Sequence, residues 1–162
     1  MNSFKIETYL KIIFFISLIS VISAYFIEFI LGHKPCNLCL IERIPYVLSI
    51  ILIILNYFFK KNERFIILLL CLIFVFSFII SLYHFGIEQG FFEESMVCRS
   101  KNVLDIISKE ELLKQLQEKT VSCRDVTFRI FGISLTAFNS IISLFLFIFL
   151  IRIFKNYEKL KN

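Results

Sequence analysis

Four apolar runs, at positions 10–31, 44–59, 65–85 and 130–154, divide the chain, and polar stretches separate them. A helix needs about twenty predominantly apolar residues to cross the ~30 Å hydrocarbon core of a bilayer, so the pattern predicts four transmembrane helices. The first run lacks a small-residue cleavage site followed by a polar region, and is read as a retained span. The second is short when counted from Ile44, with Pro45 in its first turn, where a missing amide costs little. Counting helix from near Cys39 brings it to about twenty residues and puts that cysteine at the membrane surface. KKNER at 60–64 predicts a tight connection to the third span, while residues 86–129 form the one sizeable polar segment. Within it, Ser108 to Glu111 followed by Leu112, Leu113 and Leu116 has the form of a capping box opening an amphipathic helix. Val103, Leu104, Ile106 and Ile107 just before it favour a helix lying flat on the membrane. The predicted architecture is an all-α membrane protein: a four-transmembrane-helix bundle in a single domain over 1–162, with external loops at 32–43 and 86–129 and a short external amphipathic helix in the second.

Composition agrees. At 58% hydrophobic residues with 21 Phe in 162 positions and a mean hydropathy of +0.81, the chain carries more apolar surface than a soluble domain of this length can bury. Lipid is therefore the expected solvent, and the net charge of +5 gives no reason to expect nucleic acid as a partner. Lys and Arg are packed more densely in the short termini and the 60–64 turn than in the long opposite loops, which predicts cytoplasmic termini. Cys36, Cys39, Cys98 and Cys123 then all fall on the exterior side, where disulfides persist. Cys71, alone in the third span, is expected to be a small buried hydrophobe. Glu28, near the outer end of the first span, is expected to be solvated at the interface.

The chemistry gathers at His33 to Tyr46, HKPCNLCLIERIPY. A thiol pair where a turn becomes a helix meets unpaired amides and the helix dipole, which favour a thiolate. Arg43, one turn beyond Cys39, adds a fixed positive charge on the same face. CxxC alone leaves a structural disulfide or half of a zinc site open. Two cysteine pairs on one side could exchange disulfides as a relay, since exchange needs only a thiolate and access. An ordinary structural disulfide lies below about −300 mV and a strongly oxidising soluble carrier near −120 mV, so a stable staple could not oxidise such a carrier. The separation of Cys98 from Cys123 lacks the tight second knuckle of most four-thiolate zinc sites, and no metal is expected.

At these residues the chain resembles the DsbB family of disulfide bond formation proteins. KPCNLCLIER at 34–43 is similar to the family's first external loop, YHFGIEQG at 83–90 to the third-span exit of one branch, and FGISLTAFNSIISL at 131–144 to the start of its fourth span. The chain departs from it in having no Trp; Phe128 and Phe138 stand near the places where members often carry one. The resemblance implies a bacterial inner-membrane thiol oxidoreductase that reoxidises a DsbA-like periplasmic carrier and passes the electrons to the quinone pool, ubiquinone or menaquinone. By the same resemblance Cys98 would be attacked by the reduced carrier, Cys123 would pass electrons to Cys36, and Cys39 would be the thiolate against the quinone ring. Arg43 would hold a quinone oxygen, and His84 is a weaker candidate for the same pocket. Two rival readings are a vitamin K epoxide reductase-like enzyme, which should place its CxxC late in the chain, and a non-enzymatic membrane scaffold with structural disulfides.

Overall fold

The computed structural model describes residues 3–58, 63–94, 97–98, 122–124, 129–130 and 132–157. Its elements are α1 (Ser3–Phe29), α2 (Asn37–Ile41), α3 (Ile44–Phe58), α4 (Glu63–Glu88), β1 (Arg129–Ile130), β2 (Ile133–Ser134) and α5 (Leu135–Lys155). Four helical stretches are long and apolar enough to cross a membrane: Ile6–Phe29, Asn37–Phe58 (α2 and α3 together), Glu63–Glu88 and Leu135–Lys155. The expected amphipathic helix around 108–116, Phe128 and the first residues of the 60–64 turn lie outside the described residues.

Several boundaries differ from the sequence reading, α1 among them at Ser3–Phe29 instead of 10–31, and two of the differences shape the cysteine end. The third helix does not stop at Phe85 but runs through Gly86 to Glu88, and Gly90, at φ +79°, ends it in the left-handed conformation that glycine tolerates. Gly86 is needed for a different reason. A Cβ there would stand 2.4 Å from the Phe92 ring, so the missing side chain lets the chain fold back over the helix end and stack Phe92 on Tyr83 at 5.5 Å. The fourth helix begins at Leu135 instead of 130, because Arg129 and Ile130 pair with Ser134 and Ile133 in a small antiparallel hairpin. Ser134 then caps the helix, its Oγ accepting from the Ala137 amide at 3.3 Å.

The bundle core is a column of Ile6, Leu10, Ile13, Ile53, Ile67, Leu70, Phe74, Leu146, Leu150 and Ile153. Large residues such as Phe15, Phe29, Phe58 and Phe145 face outward, as the apolar shell of a lipid-embedded bundle must. Without a hydrophobic force between helices in lipid, close packing and interhelical hydrogen bonds hold them together. Ser49 Oγ donates to Ser17 Oγ at 2.9 Å between α3 and α1, the Ser77 and Ser143 hydroxyls stand 2.9 Å apart between α4 and α5, and Ser81 Oγ donates to the Thr136 carbonyl at 3.2 Å. Cys71 sits in the core, as its apolar flanks suggested. Helices α4 and α5 share the largest contact, with α3 against both α1 and α4. Helices α1 and α5 touch where Tyr9 meets Phe149 edge to face at 5.4 Å. Toward the cysteine end residues of both line a cavity.

Candidate functional site

The CxxC turn is built by its own first cysteine. Cys36 is the N-cap of the five-residue α2, in extended conformation, with its sulfur accepting from the Cys39 amide at 3.3 Å. One otherwise unpaired helix donor is thereby satisfied by sulfur. Cys36 and Cys39 are free, with their Sγ atoms 2.9 Å apart. The helix breaks at Glu42 and Arg43 before resuming as α3, and these two neighbours point in different directions.

Glu42 turns inward and is buried. His84 Nδ1 donates to its Oε1 at 2.9 Å, and Asn139 Nδ2 donates to its Oε2 at 2.9 Å. A buried carboxylate is tolerable only when its lone pairs are taken up in this way. His84, itself buried, presents its other nitrogen, Nε2, 3.5 Å from Cys36 Sγ. The network continues from Asn139, whose Oδ1 accepts from the Tyr46 hydroxyl; that hydroxyl lies 3.1 Å from Ser143 Oγ. Sulfur, imidazole, carboxylate and amide thus form one chain drawn from the CxxC turn, α4 and α5. The hydrogen bond from the Cys39 thiol, followed by those of His84, outweighs burial and lowers the Cys36 thiol to about 4. In this reduced pair the anion-stabilising contacts converge on Cys36.

Arg43 turns the other way. Its guanidinium donates to Glu28 Oε2 and lies 5.0 Å from the centroid of the Tyr25 ring. The expectation that Glu28 is merely solvated is corrected here: α1 returns past the turn so that the carboxylate meets Arg43, fifteen residues on. Both side chains are largely shielded from solvent, at 14% exposure for Arg43 and 24% for Glu28.

Between these two directions lies the cavity, about 290 Å³ in volume, near the lower end of the roughly 300–1,000 Å³ usual for small-molecule sites. Ile19, Ser20, Ser23, Ala24 and Ile27 of α1 form one wall and Leu135, Phe138, Asn139 and Ile142 of α5 another; Cys36, Cys39, Arg43 and His84 reach it from the CxxC end. Glu88 also lines it, and its Oε2 is one of two buried side-chain oxygens without a partner among the described residues. An apolar slot edged by a guanidinium and an imidazole suits a flat ring bearing oxygens at its rim.

Cys98 and Cys123, 25 residues apart, are joined in a disulfide with a Cα–Cα distance of 5.4 Å. Glu94 secures its second half, accepting from the Arg124 amide at 3.1 Å and from the Ser122 hydroxyl. Asn37 Nδ2, between the two turn cysteines, donates to the Val97 carbonyl at 2.8 Å, next to Cys98. As a result Cys36, Leu38, Ile87, Cys98 and Cys123 form a single buried cluster, apart from the bundle core. Cys36, Cys39, Cys98 and Cys123, with Arg43 and His84, therefore meet at one end of the bundle. Glu42 and Asn139 were not singled out from the sequence as site residues; the available signal was an amide and a carboxylate placed against apolar runs that give them no water.

The family model described as disulfide bond formation protein DsbB matches residues 7–153. A relative in Rickettsia prowazekii (strain Madrid E), described as uncharacterized protein RP370, is 30% identical over 137 residues, which cover 83% of this chain and 80% of the relative. No solved structure matches.

Proposed function

Since the chain belongs to the DsbB family of disulfide bond formation proteins and is a multi-pass membrane oxidoreductase of that kind, we propose that it reoxidises a DsbA-like periplasmic thiol carrier and delivers the electrons to membrane quinone. The observation that carries this reading is the packing of both cysteine pairs in one cluster, one already a disulfide and the other a dithiol on the wall of a ring-sized cavity. The four cysteines face the periplasm and the termini the cytoplasm, in keeping with the denser Lys and Arg of the terminal side.

The chemistry balances as follows. A thiolate of the reduced carrier attacks Cys98, opening the Cys98–Cys123 disulfide; the carrier's second thiol then closes the carrier disulfide and leaves two loop thiols. Cys123 attacks Cys36 of the oxidised turn pair, Cys39 leaves with the electrons, and closure of Cys98 on Cys123 regenerates the loop disulfide. The turn dithiol that results, facing a loop disulfide, is the redox state of the structure. A bound quinone would supply the acceptor for the two electrons and two protons that Cys36 and Cys39 give up as they rejoin. His84 Nε2 stands where it can hold the Cys36 proton, with Glu42 steadying the cationic ring through Nδ1. Arg43 supplies a fork of donors for a ring oxygen, a role that requires it to trade part of its contact with Glu28. A CxxC early in the chain is also the order opposite to that expected of a vitamin K epoxide reductase-like enzyme.

The test is steady-state oxidation of a reduced DsbA-like carrier by the purified protein. Turnover should require quinone. Oxidation that continues over many cycles with both quinone and oxygen removed would overturn the reading.

A further inference from the structure

The reduced turn pair and His84 have the geometry of a second kind of site. In a tetrahedral zinc centre, with bonds of about 2.3 Å to sulfur and 2.0–2.1 Å to nitrogen, a thiolate and an imidazole nitrogen stand about 3.5 Å apart. Cys36 Sγ and His84 Nε2 are 3.5 Å apart. That edge of a tetrahedron is already in place. The Cys36–Cys39 edge, 2.9 Å, would need to open to about 3.8 Å, a movement within reach of a rotation of the partly exposed Cys39 side chain. Cys36, Cys39 and His84 ligand atoms all lie within 4.8 Å of one another.

What surrounds these three strengthens the assignment. Glu42 accepts from His84 Nδ1 at 2.9 Å, which is the carboxylate–histidine arrangement that orients imidazole ligands and leaves the other nitrogen's lone pair for a metal. Asn139 in turn holds Glu42. The cavity lies against all three ligands, so a fourth coordination position opens onto space that water can fill. Two thiolates and one imidazole select soft or borderline cations such as zinc over magnesium or calcium.

We infer that the reduced Cys36/Cys39 pair and His84 bind one thiophilic divalent cation of the zinc class, with Glu42 fixing the histidine and the fourth position open to the cavity. Binding releases the two protons shared among Cys36, Cys39 and His84 Nε2, forms two metal–sulfur bonds and one metal–nitrogen bond, and moves no electrons. Because the same sulfur electrons would otherwise form the disulfide, cation and disulfide exclude each other: the metal locks the pair in its reduced form and stops its oxidation. The site needs neither carrier nor quinone, so its failure and that of the proposed function are separable.

Cobalt(II) tests it, as an optical probe of tetrahedral thiolate sites. The full-length chain in detergent, carrying Cys98→Ser and Cys123→Ser so that loop thiols cannot contribute, is reduced and titrated with cobalt alone. One equivalent per chain should produce thiolate-to-cobalt charge-transfer absorption and tetrahedral d–d bands, displaced by zinc and absent from the disulfide form. Cys36→Ser should abolish the bands, His84→Ala should remove their tetrahedral character, and Glu42→Gln should weaken cobalt binding about 10- to 100-fold. Cys71→Ala should change nothing. No bands in the reduced protein, or the same bands after Cys36→Ser or in the disulfide form, would overturn the inference. A second measurement needs no substitution at the site: zinc should slow alkylation of Cys39 in the reduced chain at least tenfold, and an unchanged rate counts against it equally.

Discussion

The two cysteine pairs are chemically alike and differently housed. Cys36 and Cys39 sit three apart on one helical turn, rooted in the bundle, with a histidine, a carboxylate and an amide behind them. Cys98 and Cys123 bridge 25 residues of chain and are tethered by Glu94 and by the Asn37–Val97 contact. The surroundings of the first pair stabilise a charge and border a cavity; those of the second hold a bond beside the first. What separates the roles of the four thiols is therefore their second neighbours, since the sulfur chemistry is shared.

The sharpest way to break this comparison is to remove one pair at a time. Cys98→Ser with Cys123→Ser should abolish carrier turnover while leaving Cys36 and Cys39 fully oxidisable by quinone. Cys36→Ser should also abolish turnover, yet its loop disulfide should still oxidise one equivalent of carrier. Thiol counting after a single turnover reads both, and a loop variant whose turn pair can no longer be oxidised by quinone would show that the pairs are not separable. Next in size is His84→Ala, which should slow quinone-dependent reoxidation of the turn pair about 10²- to 10⁴-fold, the usual reach of a positioned acid–base group. Exchange between carrier and loop pair, followed by stopped flow, should stay within a few fold; an equal loss in both would assign His84 a structural role only.

Arg43→Ala should raise the quinone requirement about 10- to 150-fold, the equivalent of one charged hydrogen bond of about 1.5–3 kcal/mol, and Arg43→Lys should recover only part of it. Carrier oxidation measured over a range of quinone concentrations checks this, and an unchanged dependence would reduce Arg43 to a partner of Glu28 and Tyr25. Asn139→Ala is smaller again. It leaves Glu42 Oε2 and the Tyr46 hydroxyl each short of a partner, and thermal unfolding in detergent should register a loss of about 1–3 kcal/mol; an unchanged midpoint would mean that water replaces the amide. Smallest of all is Cys71→Ala, which should leave turnover nearly intact because the thiol lies in the bundle core, and a folded variant without activity would place that thiol in the relay.

The four helices were legible because lipid imposes a simple requirement, a long apolar run for each crossing, and the chain meets it four times. The CxxC turn was legible for the opposite reason: its parts are adjacent in sequence. The supporting network was not. Glu42, His84 and Asn139 come from three separate elements and meet only after α4 and α5 pack, so no spacing announces them. Glu28 illustrates the same limit. Sequence position gives its depth in the membrane, but only the return of α1 past the turn gives it Arg43. The start of α5 was misplaced because the stretch from Ile130 to Ile133 looks apolar enough to continue a span, and the hairpin there depends on a reversal near Gly132, at φ +83°.

The cavity between α1 and α5, beyond the Tyr9–Phe149 contact, has a consequence for traffic. On the proposed reading the protein serves two clients that live in different phases, one dissolved in the periplasm and one confined to the membrane plane. The cavity walled by α1 and α5 would take the second from within the leaflet, while the loop cysteines take the first at the end of the bundle. The two meeting places are distinct. Neither need wait for the other to leave, and occupancy by the lipid-borne client should depend on its dilution in the bilayer rather than on the volume of water outside.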